Sequence, residues 1–334
     1  MGNEYVEILM AFLRKSESYQ HFPGTVTIKE TPISIIAAAP PFVYKIRKSI
    51  LLPGSDFRDL AGRRNICEKE LEIGRDFAPG VYQSVEPICV KNGELAFGRT
   101  EPVVEYALKM RLLPRSDRLN TALHRSDAEA VIDSVASYLS SFYQERRTNG
   151  RMDFFGQPGK IRERVQELCD MMDPYRHISF VSGFLDSFNS YVNRFIDRNG
   201  TFLLKRRDDG WIFNCHGELH SARISLFDGR VNIFGPMAYN DSFRCIDAAQ
   251  DTAMLMVDLD FHGHQSLATR LCEKIEASLK DSCEKDLLNF YKSCAAARHA
   301  LCRLQEAGLS GKASERSLSA AASYLKLGAS YPSA

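Results

Sequence analysis

Alternating apolar and polar residues set the character of the first hundred positions. Thr25-Val26-Thr27-Ile28 alternates, and residues 33–39 lead through Pro40-Pro41 into Phe42-Val43-Tyr44-Lys45-Ile46, a pattern that predicts strands on either side of a turn. Proline donates no backbone hydrogen bond, so the pair belongs in the turn and not inside a paired strand. Over residues 57–77 the period lengthens, with Leu60, Ile66, Leu71 and Ile73 spaced for one apolar face of a helix. Strands are predicted again at 81–90 and, across an Asn92-Gly93 turn, at 94–110. Ahead of them, residues 1–19 read as an amphipathic helix.

Helical spacing takes over after that. Residues 126–146 carry Ala130, Val131, Val135, Leu139 and Phe142 on one face, with Ser126 as the expected cap. Further helices are predicted at 160–172 and 179–198. Short strands follow at 201–204, 224–227 and 231–234, the last two joined by an Asp228-Gly229 turn. Helices resume at 246–258, 265–279 and 286–306, and a Ser/Ala-rich tail from residue 308 holds one more, at 315–327, with a frayed end. The reading is an α+β chain: a strand-rich lobe over 1–105 and a larger, mainly helical lobe over 106–334.

Composition narrows the function classes. With 334 residues and 44% hydrophobic content the chain can bury a sizeable core. Its 43 basic and 42 acidic residues balance, which argues against a nucleic-acid partner or an anionic membrane surface. The apolar stretch at the start is short and carries Glu7, so it reads as neither signal peptide nor membrane span, and Val6 stands where a myristoylation signal wants Ser or Thr. Nine cysteines with no C-x-x-C pair read as free, mostly buried thiols in a reducing compartment, hence a cytoplasmic location. The clusters Lys205-Arg206-Arg207 and Arg146-Arg147 read as solvated faces. His216, His220, His262 and His264, with Cys215, lack the spacing of a zinc site. The stretch 308–314 resembles a phosphate-binding loop only superficially: two residues separate its first glycine from Gly311-Lys312 where four are needed.

The informative stretch is Asn214-Cys215-His216-Gly217-Glu218-Leu219-His220-Ser221-Ala222-Arg223-Ile224-Ser225-Leu226. It is followed by Ile233-Phe234-Gly235-Pro236-Met237-Ala238-Tyr239-Asn240-Asp241 and by Arg244-Cys245-Ile246-Asp247-Ala248-Ala249-Gln250-Asp251. Together these resemble the aminoglycoside phosphotransferase-like proteins of the protein-kinase-like fold, the kind often fused to a C-terminal P-loop ATPase domain. Their catalytic loop reads His-Gly-Asp-Leu-His-x-x-Asn, their metal strand Ile-Phe-Asp-Cys-Ile-Glu-Phe-Asn-Asp, and their next helix begins Arg-x-x-Asp-x-x-x-Asp. The likeness spans nearly the whole chain. Residues 42–48 are similar to the lysine strand, 63–71 to the first-lobe helix, 104–111 to the hinge, and 256–261 and 289–292 to late segments. On this resemblance the chain ends where many members begin their ATPase domain.

The resemblance implies a two-lobed kinase-like fold and roles for particular residues. Phosphoryl transfer needs positioning and charge neutralisation more than covalent chemistry. Lys45 would contact nucleotide phosphates and Glu70 would hold Lys45, with Glu68 as the fallback partner. His216, Asp247 and Asp251 would brace the catalytic loop. Three positions depart from the family: the base Asp is Glu218, the metal-ligand Asn is Arg223, and the metal-ligand Asp is Gly235; Ala238 also replaces a family Glu. Arginine has no acceptor atom and glycine no side chain, so neither can ligate Mg²⁺. The expectation is a pseudokinase acting as a binding or regulatory module. ATP is the nucleotide it would take, Mg²⁺ is disfavoured, and its partner is a protein or a small phosphate-containing ligand. The alternatives are an ATP-dependent small-molecule phosphotransferase in which Glu218 and Asp241 hold the metal, and a purely structural partner protein. Arg223 either substitutes for the missing metal charge or pairs with Glu218 and closes the site.

Overall fold

A computed structural model describes residues 3–52, 54–98, 102–146, 152–281, 283–308 and 312–333. Arg147 and residues 309–311 of the glycine-rich stretch lie outside them. Among the described residues no helix is long and apolar enough to cross a membrane. Contacts divide the chain into two compact units: Met1–Arg115 with Asn232–Asn240, and Ser116–Val231 with Asp241–Ala334.

The first unit is built on α1 (Asn3–Arg14), β1 (Thr27–Glu30), β2 (Ser34–Ala39), β3 (Phe42–Arg47), β4 (Leu51–Leu52), β5 (Ser55–Asp56), α2 (Leu60–Phe77), β6 (Tyr82–Lys91), β7 (Glu94–Phe97) and β8 (Val103–Arg111). Six of its strands form one antiparallel sheet in the order β1-β2-β3-β8-β6-β7. The two-residue period of a strand sorts its faces. Tyr44 and Ile46 join Ile35, Ala37 and Ala39 in a core with Leu9, Phe12 and Leu13 of α1, while the alternate residues of β3, Lys45 and Arg47, pair with Glu70 of α2. The buried residues of α2, among them Arg63, Ile66, Cys67, Glu70, Ile73 and Phe77, recur every three or four positions, so Glu70 lies on the helix's inward face. Asp59 caps that helix, its carboxylate accepting from the Gly62 N–H at 2.6 Å.

Residues 94–110, read as one strand, form two. β7 pairs with one edge of β6 and β8 with the other, so the chain must break between them.

From residue 116 the chain is mostly helical: α3 (Leu119–Ala122), α4 (Ala128–Glu145), α5 (Pro158–Met172) and α6 (Ser179–Asp208). Short strands follow, β9 (Ile212–Asn214), β10 (Ile224–Ser225), β11 (Asn232–Ile233, in the first unit) and β12 (Cys245–Asp247), then α7 (Ala248–Phe261), α8 (Gln265–Leu279), α9 (Lys285–Ala307) and α10 (Lys312–Ser330). α7 is buried on nearly every side, which marks it as the core helix of this unit.

Several expectations change here. Residues 201–204 are not a strand but continue α6, where Leu203 and Arg206 share a buried face with Val192, Phe195 and Ile196; a four-residue apolar run cannot by itself distinguish a strand from a buried helical turn. Ser126 does not cap α4. Asp127 occupies that position without a side-chain cap, its carboxylate held by Arg125. Residues 246–247 belong to β12, antiparallel to β9, and Asp247 caps α7 by accepting from the Ala249 N–H at 2.9 Å. The tail is anchored rather than frayed: Tyr331 is buried and donates to Asp260 at 2.8 Å, and the Ser293 hydroxyl donates to the Gly328 carbonyl.

Candidate functional site

In the strand-rich unit, Lys45 Nζ donates to both Glu70 oxygens, at 2.7 and 3.0 Å. Glu70 is 1% exposed and Lys45 17%, so the carboxylate is sealed while the lysine side chain stays partly exposed. Arg47, two residues along the same strand face, donates to Glu70 as well and to the Ser34 hydroxyl. Burial opposes the Glu70 charge, but Lys45 and Arg47 outweigh it and hold the carboxyl below its ordinary range. Glu68, the fallback partner for Lys45, instead pairs with Arg64 on the exposed side of the helix at 2.8 Å.

Gly235 and Ala238 lie in the segment that belongs to this same unit. The Gly235 N–H donates to the Tyr82 hydroxyl at 2.7 Å. Its φ of +74° is left-handed backbone that glycine adopts freely and an aspartate would strain. Position 235 is thus shaped for glycine in its backbone as well as its side chain. Ala238 is fully buried.

In the helical unit, the loop from Cys215 to Ile224 hangs on two carboxylates of α7. Asp251 accepts from the N–H groups of His216 and Gly217, at 3.0 and 2.8 Å, and from the Tyr143 hydroxyl at 2.9 Å. Asp258 accepts from the Ser221 N–H at 2.7 Å. Burial nevertheless pushes the Asp251 carboxyl up to about 6 against the pull of those donors. Gly217, with φ +75°, makes the sharp turn that aims its N–H at Asp251. The buried His216 ring accepts from the Glu218 N–H through Nδ1. Asp247 is held by Arg206, at 2.6 and 2.9 Å, and by the Tyr291 hydroxyl.

Both Glu218 oxygens are engaged. Oε2 accepts from Arg223 Nη1 at 2.7 Å and Oε1 from the Cys302 thiol at 3.6 Å. Burial raises the Glu218 carboxyl, but Arg223 and Arg298 more than reverse this and leave it at about 2. A carboxylate that reluctant to take a proton is a weak general base near neutral pH. His220 lies close by and burial holds it neutral, well below its usual range.

The positions that the resemblance assigns to Mg²⁺ do not fit one. Arg223 presents only donors, Gly235 presents a backbone N–H, and Asp241 is paired with Arg244 Nη2 at 2.6 Å. Among the described residues no three His, Cys, Asp or Glu side chains gather as a metal cage.

The structure therefore brings Lys45 together with Glu70, Glu218 with Arg223, and His216 with Asp251. Arg47 was legible, since a second cation two residues from Lys45 on a strand shares its face. Cys302, 84 positions from Glu218, carries no sequence signal. The Lys205-Arg206-Arg207 cluster is not a solvated face throughout: Arg206 is 5% exposed and bridges Asp247 and Asp281.

No known family profile matches this chain. Uncharacterised proteins of Mycobacterium tuberculosis and Mycobacterium bovis are 25% identical to it over 271 residues, 80% of this chain and 52% of theirs. The chain thus spans about half the length of the curated relatives it matches. Among solved structures it is similar to the GDP and kanamycin complex of APH(2″)-IIia, with TM-score 0.52, 13% identity, and 98% of each chain covered. It is likewise similar to choline kinase from Cryptosporidium parvum, with TM-score 0.51, 9% identity, and 97% of this chain and 95% of that one covered. At such identities the likeness establishes the fold: the chain has the two-lobed, α+β protein-kinase-like fold of aminoglycoside phosphotransferases and choline kinases.

Proposed function

We propose that this chain of protein-kinase-like fold is a pseudokinase: a cytoplasmic binding or regulatory module that keeps the scaffold of a phosphotransferase and has given up metal-dependent transfer. The observation that carries the proposal is the ion pair between Arg223 and Glu218 at 2.7 Å. The group in the base position is occupied by the group in a metal-ligand position. A guanidinium presents several donors in a fixed fork, and here one of them is spent on Glu218. That favours Arg223 as the residue that closes the site over Arg223 as a stand-in for metal charge. Gly235 supports the same reading, since its left-handed backbone would strain an aspartate restored there.

Retention of the Lys45–Glu70 pair supports a residual role in holding nucleotide phosphates. It is also the observation that favours the second reading, an ATP-dependent phosphotransferase acting on a hydroxyl group. The two separate in one set of measurements. Purified protein with ATP and Mg²⁺ is expected to release no ADP above background. Calorimetry with ATP and pyrophosphate should give the same affinity in Mg²⁺ and in EDTA. Arg223→Asn should leave or increase that affinity, because it unplugs Glu218. Steady ADP production abolished by Glu218→Ala, or binding that strictly requires Mg²⁺, overturns the pseudokinase reading in favour of the enzyme. Loss of binding in Arg223→Asn would restore Arg223 as the metal substitute.

A further inference from the structure

A second concentration of positive charge lies in the helical unit, electrostatically linked to Glu218 through Arg298. Arg164, on α5, is 3% exposed. Its Nη1 donates to the Gln250 side-chain oxygen and its Nη2 to the Phe155 carbonyl, both at 2.8 Å, while its buried Nε has no partner. Arg298, on α9, lies with its guanidinium carbon 4.1 Å from the centre of the Phe243 ring, and its Nε is likewise buried without a partner. Both arginines line one cavity of about 20 Å³, with Phe243 and Gln250 and with apolar walls from Leu168 and Met254. No aspartate or glutamate lines it, and neither guanidinium pairs with a carboxylate among the described residues.

Buried charges are ordinarily paired, because an uncompensated ion in a low-dielectric interior costs several kcal/mol. Arginine does not escape by losing its proton. The other charged residue lining this cavity is a cation as well, and burial, with a smaller contribution from Arg298, disfavours the charge of Arg164. Arg298 has Glu218 and Asp251 within its electrostatic reach, whereas Arg164 lacks a negative counterpart, and the two side chains line one small space, each with a buried Nε that has no partner. We propose that this cavity binds a single small monovalent anion of about chloride size, held between Arg164 and Arg298.

Size selects the class of ligand. A volume of roughly 10–15 Å³ admits one water-sized particle, so the space takes a monatomic ion, and a tetrahedral phosphate would need several times as much. Arg298 is also one of the cations acting on Glu218 and Asp251. An anion here would therefore be linked to the charge state of the loop that carries Glu218.

The test compares thermal unfolding in sodium chloride and in sodium gluconate at one fixed ionic strength. Chloride should raise Tm saturably by a few degrees relative to gluconate, on the scale expected when a ligand binds the folded state alone. Arg298→Met should abolish that difference. Because Arg164→Met removes two hydrogen bonds and risks the fold, the wild-type protein supplies the independent check. Crystals grown in sodium bromide should show an anomalous peak between the Arg164 and Arg298 guanidinium groups. Equal Tm in chloride and gluconate, an unchanged chloride response in Arg298→Met, or a cavity without bromide signal would each overturn the proposal.

Discussion

Glu218 shows how one neighbour reassigns a residue. Its carboxyl stands at about 2 against an ordinary 4.5, chiefly through Arg223 and Arg298 acting against burial. A depressed acid contributes stability above its unfolded value and forfeits it as pH falls through the folded one. The Arg223–Glu218 pair should therefore stabilise the protein fully above about pH 4.5 and progressively less down to about pH 2. Replacing Arg223 with Met should cost on the order of 1–3 kcal/mol at pH 7 and should flatten that acid limb. Denaturant unfolding at pH 7, 4 and 3 measures it. A variant with an unchanged acid limb would mean that Arg223 does not hold the carboxylate. The neighbouring residues divide by how far they look. Lys45, Glu70, Glu218 and Arg223 stand out in sequence because the motif order places them, and the three substitutions are plain from side-chain chemistry alone. The left-handed backbone at Gly235 and the Cys302 thiol on Glu218 are not legible, since both depend on segments far apart in the chain.

At the level of elements, strands with a clean two-residue alternation and helices with long apolar faces were legible, and short apolar runs were not. β3 shows why. Its alternation settles both which residues enter the core and that Lys45 and Arg47 share a face toward α2. Residues 201–204 offered four apolar positions and no longer pattern, and only packing makes them part of α6. A separate expectation, that the Lys205-Arg206-Arg207 cluster is a solvated face, places Arg206 at the surface. As an α6 residue it anchors a buried network of Asp247, Asp281 and Tyr291 that also fixes the cap of α7. Arg206→Ala should accordingly cost about 3–5 kcal/mol, because it strands two carboxylates. Lys205→Ala, on the exposed side of the same helix, should change stability by no more than about 0.5 kcal/mol. Parallel urea titrations decide. Equal effects of the two substitutions would return Arg206 to the solvated face that the sequence implied.

On the scale of the molecule, the chain does not visit its two units in turn. It builds most of the first, moves on, and returns with Asn232–Asn240 before finishing the second. That short return is integral to the first unit: Gly235 bonds Tyr82, the Tyr239 carbonyl accepts from Ser55, and the Tyr239 ring meets Phe57 edge-on at 6.3 Å. A fragment of residues 1–115 should therefore show weaker amide-exchange protection in α2 and β6 than the full chain, and a peptide of residues 232–240 should restore part of it. Full protection in the fragment alone would show the return segment to be dispensable. There is also a consequence for the order of events in the cell. On the ribosome the first unit has all of its sheet once residue 111 is out, yet it lacks its last piece until residue 240 has been made. At about 5–20 residues per second that interval is on the order of ten seconds. Through it, Tyr82 and Ser55 wait for partners still being translated, so the first unit, begun before the second, is completed late, and nascent-chain chaperones have that long to reach it.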